Sequence, residues 1–193
     1  MLTRCVFLFS VIFAVGCAGE VEPAPAVEAA PESPSARREL DPGGARAVDW
    51  PDASNASHEG VVYFAGQPGA AGLLHGFEIG VELVVNLRTA GEMTGVGYDE
   101  AAEVKRLGME YVTIPIRAGT FSKADVTAFG NALRETPGPV LVHCRSSNRV
   151  GALWAAYLTL EEGVPLGDAL ERGRKAGMTK PILEAAVERV VAE

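Results

Sequence analysis

Apolar residues in this chain alternate between short solid runs and longer stretches with helical spacing. Val140, Leu141 and Val142 follow Pro139 as a solid run, as expected of a strand buried on both faces, and the run stops at His143 and Cys144. From Arg149 the spacing changes: Val150, Leu153, Trp154, Tyr157 and Leu158 fall on one helical face. Residues 61–66, 81–87 and 109–116 predict further strands, and residues 72–80, 99–107, 122–134, 166–175 and 180–192 predict helices. Gly91 to Gly97 predicts a loop. The alternation implies an α/β fold: a central, mainly parallel sheet of about four to five strands flanked by helices.

This pattern is missing from the first 59 residues. Arg4 precedes an apolar run from Val6 to Val15, the length of a signal-peptide core and too short to cross a bilayer. Gly16 then stands directly before Cys17, with Ala14 where leucine is usual. The segment resembles a bacterial lipobox, which implies a lipoprotein signal over residues 1–16, lipid on Cys17, and an exported protein held at a membrane of the cell envelope, on its periplasmic side. Ordinary cleaved secretion and a buried apolar helix are the alternatives. Residues 17–59 are rich in Ala, Pro and Glu and predict a disordered linker, leaving residues 60–193 as the folded domain.

Composition narrows the function. The net charge is −8, from 17 basic and 25 acidic residues, which argues against a nucleic-acid partner. His58, His75 and His143 lack metal-ligand spacing, so neither a metal nor another cofactor is expected. Of the three cysteines, Cys5 would leave with the signal and Cys17 would carry lipid, so Cys144 is the one thiol expected in the mature chain. Arg172, Arg174, Lys175 and Lys180 form a basic cluster that reads first as a solvated helix face and second as a lure for an anionic substrate.

The junction at Cys144 carries the chemistry. A tight polar loop, Arg145, Ser146, Ser147 and Asn148, joins a strand end to a helix start. Amides of such a loop and of the first helical turn lack partners within the helix, and the helix dipole adds positive charge, so an oxyanion is solvated there. Arg149 can fork two of its oxygens, while Cys144 sits at the strand end in the same field, which favours a nucleophilic thiolate.

Three blocks resemble a known family: AGQP at 65–68, VVNLRTAGE at 84–92 and VHCRSSNRVGALWAAYL at 142–158. They are similar to the bacterial phosphatase-like domain associated with beta-lactamase hydrolase-like proteins, within the dual-specificity and tyrosine phosphatase fold. The resemblance implies a phosphomonoester substrate and a phosphocysteine on Cys144. It implies that Arg149 clamps the phosphate, that loop amides from Arg145 through Ser146, Ser147 and Asn148 to Val150 bind its oxygens, and that His143 tunes the thiolate. Arg88 and Glu92 would line or brace the site.

Three features depart from that pattern. Four residues, rather than five, separate Cys144 from Arg149; Val150 stands where a serine or threonine hydroxyl is usual; and Ala118 occupies the place of the general acid. Asp125 is the nearest candidate acid, although as the fourth residue of an S-x-x-D start it also suits a helix cap. The loop CRSSNR also resembles that of rhodanese sulfurtransferases, where the cysteine carries a persulfide and needs no general acid. A phosphatase, a sulfurtransferase and a noncatalytic tethered anion-binding module are therefore the three expectations.

Overall fold

The computed structural model describes residues 40–117 and 120–193. The expected signal, Cys5, Cys17 and most of the predicted linker lie outside the described residues, as does Ala118. Among the described residues, no helix is long and apolar enough to cross a membrane.

Six strands form one sheet in the order β1-β2-β3-β6-β4-β5. They are β1 (Arg46–Ala47), β2 (Ser57–Glu59), β3 (Val62–Ala65), β4 (Leu83–Asn86), β5 (Glu110–Thr113) and β6 (Val140–His143). β3, β6, β4 and β5 run parallel, whereas β1 and β2 add an antiparallel edge. The helices are α1 (Ala70–Glu78), α2 (Ala90–Met93), α3 (Glu100–Arg106), α4 (Lys123–Glu135), α5 (Asn148–Leu160), α6 (Leu166–Lys175) and α7 (Pro181–Ala192). The expected loop at 91–97 thus holds part of a short helix. Its start is explained by Thr89 and Glu92, which satisfy each other's backbone amides in a capping box.

Alternate residues of the central strands feed two cores. Leu83, Val85, Val140 and Val142 face the core shared with α4 to α7, while Val84 and Leu141 face Leu73 of α1 and Val104 of α3. This two-sided burial is why those strands read as solid apolar runs. α5 is covered almost all round, with every residue from Val150 to Leu158 buried. It approaches α6 closely where Gly151 meets Gly173: a Cβ on Gly151 would come within 2.2 Å of the Gly173 carbonyl oxygen.

The fold starts earlier than residue 60, which corrects the expected extent of the linker. Trp50 is buried and donates from Nε1 to the Gly72 carbonyl at 3.0 Å. The buried Glu59 of β2 accepts from Trp154 Nε1 at 3.0 Å and from Arg172 at 2.8 Å. These residues looked like linker because their burial depends on partners distant in sequence. The same contacts revise the basic cluster: Arg172 pairs with Glu59, Arg174 with Glu184 and Lys175 with Glu171, which leaves Lys180 outside those ion pairs.

Candidate active site

The parallel register places three strand ends side by side. Ala65 and Asn86 both pair with His143, so the turn after β3, the segment after β4 and the Cys144 loop emerge at the same edge of the sheet. The loop is then sewn to its neighbours. The Cys144 amide donates to the Ala65 carbonyl at 3.3 Å, Gln67 N to the Arg145 carbonyl at 3.3 Å, and Ser146 forms a β-bridge with Gly66.

Ser147 makes the turn into α5. Its φ of 62° is left-handed, a conformation that costs an ordinary residue about 1–2 kcal/mol. Its buried hydroxyl donates to the Ala176 carbonyl at 2.8 Å, and Gly177 presses so close that a Cβ there would lie 2.6 Å from Ser147 Cβ. Asn148 is likewise turned outward, accepting from the amide and hydroxyl of Thr179 at 2.8 and 3.0 Å. The N-cap residue therefore makes no side-chain bond to the first turn of α5, whose amides remain suited to an external oxyanion.

Cys144 is 1% exposed at the base of this loop. Arg149 is directed by Glu92 and the Ile116 carbonyl, with the Leu87 carbonyl 3.4 Å from Nη1. Glu92 takes two hydrogen bonds, from Nη1 at 2.9 Å and Nη2 at 2.7 Å, and the Ile116 carbonyl takes another from Nη1 at 2.7 Å. A guanidinium has five N–H groups, so the edge formed by Nε and the second hydrogen of Nη2 is left to fork an oxyanion. Burial opposes the Arg149 charge, but the Glu92 bonds and the nearby Cys144 outweigh it and hold the group above its ordinary value. Glu92, expected to line or brace the site, is the carboxylate that bonds the Arg149 guanidinium.

The Arg149 guanidinium, against burial and helped by the Thr89 amide, holds the Glu92 carboxyl down at about 2, from an ordinary 4.5. A depressed carboxylate contributes stability that is complete above its unfolded value and lost as pH falls through its folded one. Thermal melts of the wild type and Glu92→Gln should therefore differ by a constant amount down to about pH 4.5 and converge toward pH 2. A gap that stays constant through pH 2 would refute the assignment.

A second chain of bonds lies behind Cys144. His143 is fully buried with Nε2 2.8 Å from Glu100 Oε1. Glu100 also accepts from Tyr111 at 2.9 Å and from Gln67 Nε2. Gln67 Oε1 in turn accepts from Arg88 Nη1 at 2.5 Å, and Arg88 Nη2 donates to the Glu92 carbonyl at 2.8 Å. The path from His143 through Glu100, Gln67, Arg88 and Glu92 to Arg149 thus links the three sequence blocks. Glu100 and Gln67 escaped the sequence reading: Glu100 resembles an ordinary acid in the first turn of a helix, and Gln67 an ordinary turn residue.

Asp125 lies elsewhere in its interactions. Its carboxylate accepts from the Ser122 amide at 2.8 Å and hydroxyl at 2.9 Å, closing the capping box of α4. Val150 is buried, Arg145 is exposed, and Ser146 is half-buried. Among the described residues, no group of three or more His, Cys, Asp or Glu side chains could hold a metal.

A parallel sheet with a cysteine loop at its carboxyl edge, feeding an arginine at the start of a buried helix, is the architecture of cysteine phosphatases. Structures of TpbA from P. aeruginosa share it, with a TM-score of 0.62 and 24% identity over 79% of this chain and 91% of that one. So does Tk-PTP in its active form, with a TM-score of 0.61 and 21% identity over 75% and 99%. Residues 61–160 match the family described as beta-lactamase hydrolase-like protein, phosphatase-like domain, and the chain belongs to that family. It is 36% identical over 93 residues to the beta-lactamase hydrolase-like protein of Xylella fastidiosa strain Temecula1, covering 47% of this chain and 22% of that protein. The protein of that name from Agrobacterium fabrum is 30% identical over 58% of this chain and 27% of its own length. The match thus spans about a quarter of these longer relatives.

Proposed function

We propose that the protein is a cysteine-dependent phosphomonoester hydrolase. The observation that carries the reading is the aimed guanidinium: Glu92 and Ile116 occupy one side of Arg149, leaving its other edge for a phosphate held over Cys144. In the first step, the Cys144 thiolate attacks phosphorus, an S–P bond forms as the ester O–P bond breaks, and the leaving oxygen departs to be protonated. Water then attacks phosphorus, an O–P bond forms as the S–P bond breaks, the water's proton passes to solvent, and phosphate and the thiolate are released. A variant of TpbA has been crystallised in complex with phosphotyrosine, which favours aryl phosphates as the first probes. With Asp125 engaged by Ser122, leaving groups that depart without a strong acid suit the site best.

A sulfurtransferase is the second reading, favoured by the four-residue spacing from Cys144 to Arg149 and by the buried Val150 in place of a hydroxyl. A paired assay on the full chain separates the two. One arm follows phosphate release from an aryl phosphate; the other follows thiocyanate formed from thiosulfate and cyanide. Phosphate release alone is expected, and thiocyanate alone would overturn the phosphatase reading in favour of persulfide chemistry. Silence in both arms, with phosphate still bound, would indicate an anion-binding module.

A further inference from the structure

The fully buried imidazole of His143 has one hydrogen-bond partner among the described residues, Glu100 at 2.8 Å; its Nδ1 has none. Glu100 is itself only 2% exposed, yet it accepts from Tyr111 and Gln67 in addition to the histidine; the Tyr98 hydroxyl, whose hydrogen goes to the Pro68 carbonyl at 2.7 Å, lies 3.4 Å away. Helix capping does not explain so many donors, since Asp99 already caps α3 by accepting from the Ala102 amide at 3.0 Å. Burial pushes the Glu100 carboxyl up, but bonds from His143, Gln67 and Tyr111 prevail and hold it below its ordinary value, so it carries charge. A buried charge is costly unless a countercharge faces it. The ring of His143, adjacent in the chain to Cys144, is the group that faces it at 2.8 Å.

We propose that Glu100 is a positioning residue for the nucleophile: it fixes His143 with its hydrogen on Nε2 and draws positive charge onto the ring beside Cys144, stabilising the thiolate. The inference rests on the reading of Cys144 as nucleophile. It accounts for an acid on α3 and a glutamine in the turn after β3 through their shared service to His143. The other ionisable groups facing the pair are Tyr98 and Asp99 before α3 and Tyr111 on β5, with Arg88 reaching it through Gln67. Burial pushes both tyrosines above their ordinary range, so they remain neutral between pH 4 and 9. Arg149 lies toward Cys144, with its charge already matched by Glu92.

The test is the rate at which iodoacetamide alkylates Cys144 in the full chain between pH 4 and 9, read by mass spectrometry of the peptide bearing Cys144. In Glu100→Gln the midpoint of that profile should move to higher pH by about one unit, and the acidic limb of kcat/KM for an aryl phosphate should move with it. His143→Asn should shift it in the same direction, and the double variant should move no further than His143→Asn alone. Tyr111→Phe removes one donor to Glu100 but keeps the carboxylate and the ring, and should move the midpoint less than Glu100→Gln does. A folded Glu100→Gln variant that superposes on the wild type, or a double variant in which both shifts add, overturns the proposal. Should Glu100→Gln fail to fold, an unshifted His143→Asn does so instead. Wild-type alkylation centred at an ordinary thiol midpoint, with no phosphate released, would refute the phosphatase reading itself.

Discussion

Cys144→Ser is expected to lower phosphate release by roughly 10⁴-fold or more while leaving inorganic phosphate bound. A serine hydroxyl has nearly the size of the thiol but does not ionise near neutral pH, so the proposed S–P intermediate has no counterpart. The cradle does not depend on the sulfur. The Cys144 amide is held by the Ala65 carbonyl, the loop by Gln67 and Gly66, and its turn by Ser147 against Ala176. Calorimetric titration with phosphate alongside a turnover assay separates the two properties. Turnover within tenfold of the wild type would mean that the phosphoryl group never passes through Cys144, and loss of phosphate binding would mean that the sulfur holds the loop in shape.

The contrast between what was and was not legible in the sequence follows from locality. Strand, loop and helix around Cys144 are contiguous, so apolar spacing from Val140 to Leu158 sufficed to locate the cradle and its arginine. Glu100 lies 43 residues from His143 in sequence, and the burial that gives it significance comes from β5 and the turn after β3, which no local pattern encodes. Ser57–Glu59 presents no apolar run at all; it enters the sheet because Glu59 meets Trp154 and Arg172 across the fold. The S-x-x-D pattern at Ser122 fared better, since it closes within one turn, whereas the T-x-x-E at Thr89 that starts α2 lies where only a loop is expected. For Asp125 that local explanation has a functional consequence: its carboxylate is engaged in the cap by the Ser122 amide and hydroxyl.

Arg149→Lys should lower kcat/KM for an aryl phosphate by roughly 10²- to 10³-fold, in the range expected for removing a donor aimed at developing charge. Charge is conserved in this substitution; geometry is lost. Glu92 and the Ile116 carbonyl position a planar fork, and an ammonium satisfying the same carboxylate has no second edge to present to phosphate. The loss should therefore fall chiefly on the bound transition state, lowering kcat more than it raises KM. Glu92→Gln should produce a smaller loss in the wild type and little further loss in the lysine variant, because the carboxylate acts by aiming a guanidinium that is then absent. Fully additive effects would show that Glu92 serves the site independently of Arg149. If lysine instead supports wild-type turnover, charge alone suffices, and the bidentate brace between Glu92 and Arg149 is a feature of stability rather than of chemistry.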